Sequence, residues 1–353
     1  MSDASTEKKG DAPVMLLQSS PHIASPWNSA ALMRNMLIAL APVAIFGIVT
    51  FGFPALLNIL VSVTAAIAGE SLFRVITKQQ VRAKDLSAGV TGLLLALIIP
   101  PATPLWMTAL GAVFAVIAAK EFFGGLGANV FNPALIGRAF LLMSFPSALT
   151  SWPAPSRFFA VDAATGATPL GLAKMGADAA GIGRALVEAG LSSSDSYWAT
   201  MKTLFFGFHG GSMGETSIFL IFAACIFLLI TKTIDWRAPI SMIISGSVLS
   251  LLLGMDPLFS VLSGGFVFGA VFMATDYVTS PVTAKGKVIF GIGAGIVTML
   301  IRKWGTYPEG VTYAILIMNA AVPFLNKLLP KKYGFVPKKK PAAAANGNKE
   351  AAK

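Results

Sequence analysis

A run of small residues around two threonines is the most chemically suggestive feature of this sequence. It covers residues 162–169 and reads Asp-Ala-Ala-Thr-Gly-Ala-Thr-Pro. Gly166 and Ala167 would let another protein's active site approach the backbone closely, because neither has a bulky side chain. Pro169 favours an extended conformation at Thr168, which would project its hydroxyl group. The run predicts an acceptor site for a bulky group at Thr168; an ordinary turn is the alternative.

Two acidic residues beside apolar stretches are candidates for ion chemistry. Asp276 precedes several hydroxyl residues, including Thr279, and such a set of hard oxygen atoms suits Na⁺ or a proton relay. Capping of a helix N-terminus explains Asp276 equally well. Glu215 follows Ser212 by three positions, which favours a capping box at the start of the next helix over a functional role.

Two asparagines follow the glycine-rich residues 124–128. The amides of Asn129 and Asn132 could cap backbone groups that are freed where a loop dips into the protein interior. The motif is therefore a candidate cradle for a bound group or an ion. Simple capping of a helix that begins near Pro133 is the alternative.

Composition indicates which solvent surrounds these motifs. The 353 residues are 55% hydrophobic and only 12% charged, whereas about a quarter of the residues in soluble domains are charged. A water-facing surface needs those missing charges, so lipid is the natural solvent. The sequence predicts an all-α, polytopic membrane protein.

About ten segments are apolar enough to be membrane spans, although several are short or interrupted by glycine and proline. A helix needs roughly 20 apolar residues to cross the hydrocarbon core. The predicted spans are residues 34–52, 55–76, 86–101, 104–119, 133–150, 217–232, 238–254, 257–274, 287–301 and 311–328. Thin similarity between the regions after Ser87 and Ser263 suggests two inverted five-helix repeats, which would build a central site from broken helices. Chance similarity is the alternative.

Basic residues indicate the orientation of these spans. Lysine and arginine concentrate in alternate loops, including Lys120, so the positive-inside rule predicts that both termini are cytoplasmic, with Arg302 and Lys303 as exceptions. This orientation places the long loop of residues 151–216 outside the cytoplasm, and a loop of that length more often has a function than not. The predicted parts are a cytoplasmic N-terminal segment (1–33), a first membrane bundle (34–150), an extracytoplasmic loop (151–216), a second membrane bundle (217–328) and a disordered basic cytoplasmic tail (329–353).

Several other functions are excluded by the sequence. The net charge of +11 does not indicate nucleic-acid binding, because no soluble domain is visible to carry a basic face. Cys225 is the only cysteine, and His22 lies far from His209, so no metal or iron–sulfur site is predicted. The glycines at 291–295 lie inside an apolar span with no strand before it, which favours close helix packing over a dinucleotide fold.

Six motifs, in order along the chain, give it a family resemblance. The run that ends at Thr168 resembles the (Ser/Thr)-Gly-Ala-Thr flavinylation motif of two related families. These are the D subunit of the Rnf complex and the B subunit of Na⁺-translocating NADH:quinone reductase. Similar motifs begin at Ser20, Gly124, Gly210, Thr275 and Tyr307. The compact chain, its Thr-Gly-Ala-Thr motif and the lack of a long N-terminal extension favour the Rnf family member.

This resemblance implies a flavoprotein. FMN would be joined through its phosphate to Thr168, within a binding motif that includes Asp162, Thr165, Gly166 and Ala167. A flavin transferase that uses FAD would attach it outside the cytoplasm. The chain would be one subunit of a translocase in the bacterial inner membrane, with membrane and flavin/iron–sulfur subunits as partners. The whole complex would couple electron flow between reduced ferredoxin and NAD⁺ to the movement of Na⁺ or H⁺.

The remaining candidate residues would then serve a second site. A non-covalent flavin, such as riboflavin, or an ion would lie near Asn129, Asn132, Glu215, Asp276 and Thr279. Three alternatives to the Rnf family member stay open: the quinone reductase B subunit, a secondary transporter without redox chemistry, and a scaffold subunit whose flavin site is vestigial.

Overall fold

The computed structural model of this chain describes residues 28–81, 85–155, 166, 168–192, 194–207 and 209–327. The predicted basic tail and nearly all of the predicted N-terminal segment therefore lie outside the described residues. Asp162, Thr165 and Ala167 of the candidate flavin motif also lie outside them, whereas Gly166 and Thr168 are described.

Helices account for all the regular structure in the described residues, which contain no β-strand. The predicted all-α fold class is therefore confirmed. A 3₁₀ turn covers Glu121–Phe123, and a π-helical turn covers Gly269–Met273. In chain order, the α-helices are α1 Ser29–Phe51, α2 Phe53–Ile76, α3 Ser87–Ile98, α4 Leu105–Ala119, α5 Pro133–Ser144, α6 Pro146–Thr150, α7 Pro169–Lys174, α8 Ala179–Glu188, α9 Tyr197–Phe206, α10 Ile218–Ile230, α11 Arg237–Leu252, α12 Pro257–Leu262, α13 Phe266–Phe268, α14 Ala284–Trp304 and α15 Val311–Asn326.

Nine predicted spans correspond to continuous apolar helices of the described chain. Four of these are long and apolar enough to cross a membrane: α1, α2, α14, and α4 together with its extension to Phe123. The other five, α3, α5, α10, α11 and α15, are shorter apolar helices. The chain is thus a multi-pass membrane protein, while the count of ten spans stays a prediction.

Proline and glycine explain where the helices depart from the predicted spans. Helix α5 ends at Ser144 because Phe145 precedes Pro146 and takes a non-helical conformation, with φ −136° and ψ 59°. The predicted span 257–274 is divided into α12, α13 and the π-helical turn. Gly264, with φ +66°, lies between α12 and α13. Such a left-handed conformation ends a right-handed helix.

Small residues set the distances between the packed helices. Helix α2 packs against α3 and α4 in the first half of the chain, and α11 packs against α14 in the second. The Gly92 carbonyl of α3 accepts a hydrogen bond from Ser62 Oγ of α2 at 2.6 Å. A Cβ atom added at Gly291 or Gly295 would lie 2.0 or 2.2 Å from a serine hydroxyl of α11. The predicted packing role of these glycines is therefore confirmed.

A buried network of four charged side chains joins α2 to the end of α4. Lys120 Nζ lies 2.8 Å from Glu70 Oε2, and Arg74 Nη2 lies 3.0 Å from Glu121 Oε1. Lys120 also donates to the hydroxyl of Ser87, the first residue of α3. Lys120 is only 2% exposed, although the loop-charge pattern assigns it to a cytoplasmic loop. The two basic and two acidic groups balance, so no net charge is buried.

We expect Glu70→Gln to destabilise the protein by about 3–5 kcal/mol, because it leaves the buried Lys120 ammonium without its carboxylate. The double variant Glu70→Gln with Lys120→Gln should lose less than the sum of the two single losses, since no unpaired charge remains. Thermal unfolding of the detergent-solubilised protein measures both effects.

The matched control is Asp235→Asn, at a more exposed ion-pair site in the loop before α11. Asp235 contacts Arg237 at 2.8 Å and Lys287 at 3.1 Å. Burial raises the pKa of Asp235, but hydrogen bonds from Arg237 and Lys287 outweigh burial and hold this pKa below its ordinary value of 3.8. The control should lose at most about 1 kcal/mol at neutral pH. That loss should vanish as the pH falls through the lowered pKa, because protonation removes the ion pairs. Equal losses at the two sites would contradict the burial argument.

Candidate functional site

Thr168 caps the N-terminus of α7. Its Oγ1 accepts a hydrogen bond from the backbone N–H of Gly171 at 3.0 Å. Its backbone is extended, with φ −67° and ψ 152°, as the following proline predicts. The N–H of Gly166 donates to the carbonyl of Trp152 at 3.0 Å. The threonine motif is therefore tied both to α7 and to the segment that follows α6.

Thr168 lines a cavity of about 240 Å³. Part of the wall is aromatic, formed by Trp152, Tyr307 and Tyr313. An ion pair between Arg138 of α5 and Glu309 of the α14–α15 loop also lines the cavity. Four separate parts of the chain thus line this cavity, and they contribute aromatic rings and one charged pair to its wall. We call this region the Thr168 end of the helix bundle.

Arg302 fixes the interruption between α12 and α13, next to the Thr168 cavity. Its guanidinium donates to the carbonyls of Ser260 and Ser263, the latter at 3.1 Å, and its Nε donates to the Glu309 carbonyl at 3.1 Å. A broken helix leaves carbonyls without partners, and lipid cannot supply any. Arg302 is therefore a buried structural group, which explains why it departs from the loop-charge pattern.

Glu215 also lies at the Thr168 end, away from Asp276. Its Oε1 accepts from the Ser212 N–H at 2.6 Å, as the capping-box hypothesis predicts. The turn that it closes precedes α10, however, and Ser217 caps the helix itself. Its Oε2 is buried without a hydrogen-bond partner among the described residues. A Cβ atom added at Gly265 would lie 3.6 Å from this oxygen, so Glu215 approaches the α12–α13 break.

A second, smaller cavity of about 50 Å³ lies at the other end of α5, which we call the Asp276 end. Asn129, Asn132 and Asp276 all line it, as does Lys120 of the buried charge network. Thr279 Oγ1 donates to Asp276 Oδ2 at 3.0 Å. The structure therefore brings together four of the five residues proposed for a second site, with Glu215 as the exception.

Capping explains only part of the Asp276 end. Asn132 Oδ1 accepts from the N–H of Ala134 at 3.1 Å, so it does cap α5. Asn129 Oδ1, by contrast, is buried without a partner among the described residues. With its amide oriented to satisfy both neighbours, Asn319 donates to the Thr279 carbonyl and accepts from the Asn132 N–H, each at 3.2 Å. Asn319 was not among the predicted site residues, although an amide within an apolar span is a signal for such a link.

These two ends define the class of protein. Apolar helices enclose buried charged and amide groups that face protein rather than lipid, as expected where ionisable residues in a membrane protein serve function. A family model described as the NQR2, RnfD, RnfE family matches residues 16–334. The chain therefore belongs to this family.

Individual relatives match over nearly their whole length. The chain is 41% identical to the D subunit of the proton-translocating ferredoxin:NAD(+) oxidoreductase complex of Clostridium ljungdahlii, covering 91% of this chain and 96% of the relative. It is 39% identical to the D subunit of the Na(+)-translocating ferredoxin:NAD(+) oxidoreductase complex of Acetobacterium woodii, covering 94% and 98%. It is 36% identical to the D subunit of the ion-translocating oxidoreductase complex of Stutzerimonas stutzeri, covering 90% and 96%.

We expect Gly264→Ala to destabilise the protein more than Gly254→Ala does. Both glycines have positive φ, +66° and +71°, so each variant carries a left-handed strain of about 1–2 kcal/mol. A Cβ at Gly264 would also lie 2.9 Å from Leu170 Cδ2 and 3.1 Å from Arg302 Nη2, whereas one at Gly254 meets open space. Thermal unfolding of the two variants isolates the contact with Arg302 and Leu170. Equal losses would show that the break tolerates a side chain.

Proposed function

We propose that this chain is the D-type membrane component of an ion-translocating ferredoxin:NAD⁺ oxidoreductase complex. In this proposal, it relays electrons through an FMN that is joined by its phosphate to Thr168. The observation that carries the proposal is that Thr168 lines a cavity with an aromatic wall and an ion pair. The relatives support it, since two of them are the D subunits of ferredoxin:NAD(+) oxidoreductase complexes.

The residues of the Thr168 cavity fit a flavin. The rings of Trp152, Tyr307 and Tyr313 offer flat apolar faces for an isoalloxazine ring. The guanidinium of Arg138 offers N–H donors to an anionic group. A bound flavin supplies the electron-transfer chemistry, and the protein supplies its binding, orientation and electrostatic surroundings. Thr168 holds the flavin in place, so it cannot be lost by dissociation.

The sidedness of the bundle follows from the same proposal. Both termini would be cytoplasmic in a bacterial inner membrane, and the Thr168 end would face outward, where a flavin transferase attaches FMN from FAD. The segment α12–α13 would count as the tenth span. Similar packing of α2 with α4 and of α11 with α14 supports two inverted five-helix repeats. The other Rnf membrane and flavin/iron–sulfur subunits would be the partners of this chain.

The Asp276 end is the proposed place for ion coupling, with Asp276, Thr279 and the two loop asparagines as its polar groups. Its cavity of about 50 Å³ has room for an ion or a few water molecules. An isoalloxazine ring needs more space, so a second flavin such as riboflavin would lie at a boundary with another subunit. Relatives of similar identity are named proton-translocating and Na(+)-translocating, so either ion is compatible with this proposal.

Replacing the proposed attachment residue tests the relay. We expect Thr168→Val, expressed with the flavin transferase, to lose covalent flavin completely, because valine has no hydroxyl to carry the phosphate. Thr150→Val is the matched control: it removes a hydroxyl from the wall of the same cavity, outside the motif, and should keep the flavin. In-gel flavin fluorescence and mass spectrometry of the peptide that contains Thr168 measure attachment.

The outcomes also separate the alternatives. If the wild-type protein is expressed together with an active flavin transferase and still lacks flavin, the proposed electron relay is wrong. That result would favour a secondary transporter. A colourless chain within an otherwise flavin-bearing complex would indicate a vestigial site. The quinone reductase B subunit is the less supported family member, since the three relatives described above are all D subunits.

A further inference from the structure

We propose that the Arg138–Glu309 ion pair tunes the reduction potential of the flavin on Thr168. In this inference, Arg138 contacts the flavin, and Glu309 positions the guanidinium and offsets its charge. The inference rests on the proposed function, which assigns the flavin to Thr168.

The two side chains line the Thr168 cavity from distant parts of the sequence. Arg138 belongs to α5, and Glu309 belongs to the loop before α15. A nitrogen of the guanidinium, Nη2, pairs with Glu309 Oε2. Among the described residues, the other N–H groups of this guanidinium make no hydrogen bond, so they are available to a ligand. The side chains of Arg138 and Glu309 are only 11% and 18% exposed, so water screens their charges weakly.

Backbone contacts fix the positions of both Arg138 and Glu309. Gly137 brings α5 close to α4, because a Cβ atom added there would lie 2.9 Å from the carbonyl oxygen of Gly111. The carbonyl of Glu309 accepts hydrogen bonds from Val311 N at 2.9 Å and from Arg302 Nε at 3.1 Å. A charge pair fixed in this way keeps its orientation when the flavin's charge changes, which is the condition for electrostatic tuning.

The other cationic side chains near the cavity donate to backbone carbonyls or line a different cavity. The guanidinium of Arg302 donates hydrogen bonds to three backbone carbonyls. Lys174 Nζ donates to the Arg302 carbonyl at 2.8 Å, and Lys303 lines a neighbouring cavity rather than this one. Arg138 is therefore the cation among the described residues that lines the Thr168 cavity.

Opposite charges on the pair give opposite effects on the flavin. Reduction adds negative charge to the ring, which Arg138 favours and Glu309 opposes. Removing Arg138 leaves the Glu309 carboxylate without its ion-pair partner, and removing Glu309 leaves the Arg138 guanidinium without its partner. A merely structural ion pair predicts no such reversal, because either loss would loosen the cavity in the same way.

The test is a redox titration of the covalently loaded protein within its complex, with dithionite as the donor of both electrons to the flavin. We expect Arg138→Gln to lower the ratio of reduced to oxidised flavin at a fixed potential by at least tenfold, and Glu309→Gln to raise it similarly. For a two-electron couple, tenfold corresponds to about 30 mV. The double variant and Arg138→Lys should lie close to wild type.

Lys303→Gln is the charge-matched control and should leave the potential unchanged. In-gel fluorescence first shows which variants carry the flavin. If the Arg138→Gln protein does not accumulate, the other two variants test the inference. The reduction potential should rise in Glu309→Gln and return to the wild-type value in the double variant. Loaded variants with unchanged potentials, or with shifts of the same sign, would overturn the inference and leave the proposed function intact. A wild type without flavin would instead overturn the proposed function.

Discussion

The bundle depends on one constraint: lipid cannot accept or donate hydrogen bonds, so each broken stretch of backbone must be satisfied by protein. Arg302 meets this constraint at the break between α12 and α13, where it donates to the Ser260 and Ser263 carbonyls. The same guanidinium also holds the Glu309 carbonyl. The broken span and one wall of the Thr168 cavity are therefore fixed by a single side chain.

A related constraint governs the charged side chains. A lone buried charge is costly, and the charge network at the Asp276 end and the ion pair at the Thr168 end each bring opposite charges together. At the Asp276 end, Lys120 and Arg74 balance Glu70 and Glu121. At the Thr168 end, Arg138 balances Glu309. Each pair joins different helices or loops, so electrostatic balance also holds the polar sites in place.

Much of the fold was predictable because apolar periodicity and breakers are local signals. Continuous runs of apolar residues mark the helices. The end before Pro146 and the break at Gly264 lie inside the predicted spans 133–150 and 257–274 and were not predicted, although proline and glycine are local signals for both. The cap at Asn132 and the extended backbone at Thr168 were predicted from the proline that follows each residue, whereas the cap that Thr168 forms on α7 was not predicted. The buried partners were not predictable: Arg138 and Glu309 are 171 positions apart, and no local pattern connects them.

One chain segment links the two polar ends. It begins at Asp256, which lines the cavity that neighbours the Thr168 cavity, and passes the break held by Arg302. It then continues through the π-helical turn and finishes at Asp276. A π-helical turn adds a residue to the helix, and such turns are frequent at functional sites. Coupling between distant sites requires an element with two arrangements that both sites bias. Residues 256–276 contain the interrupted and π-helical backbone of the described chain. They reach from Arg302, which also holds the Glu309 carbonyl, to Asp276, so they meet the geometric part of that requirement.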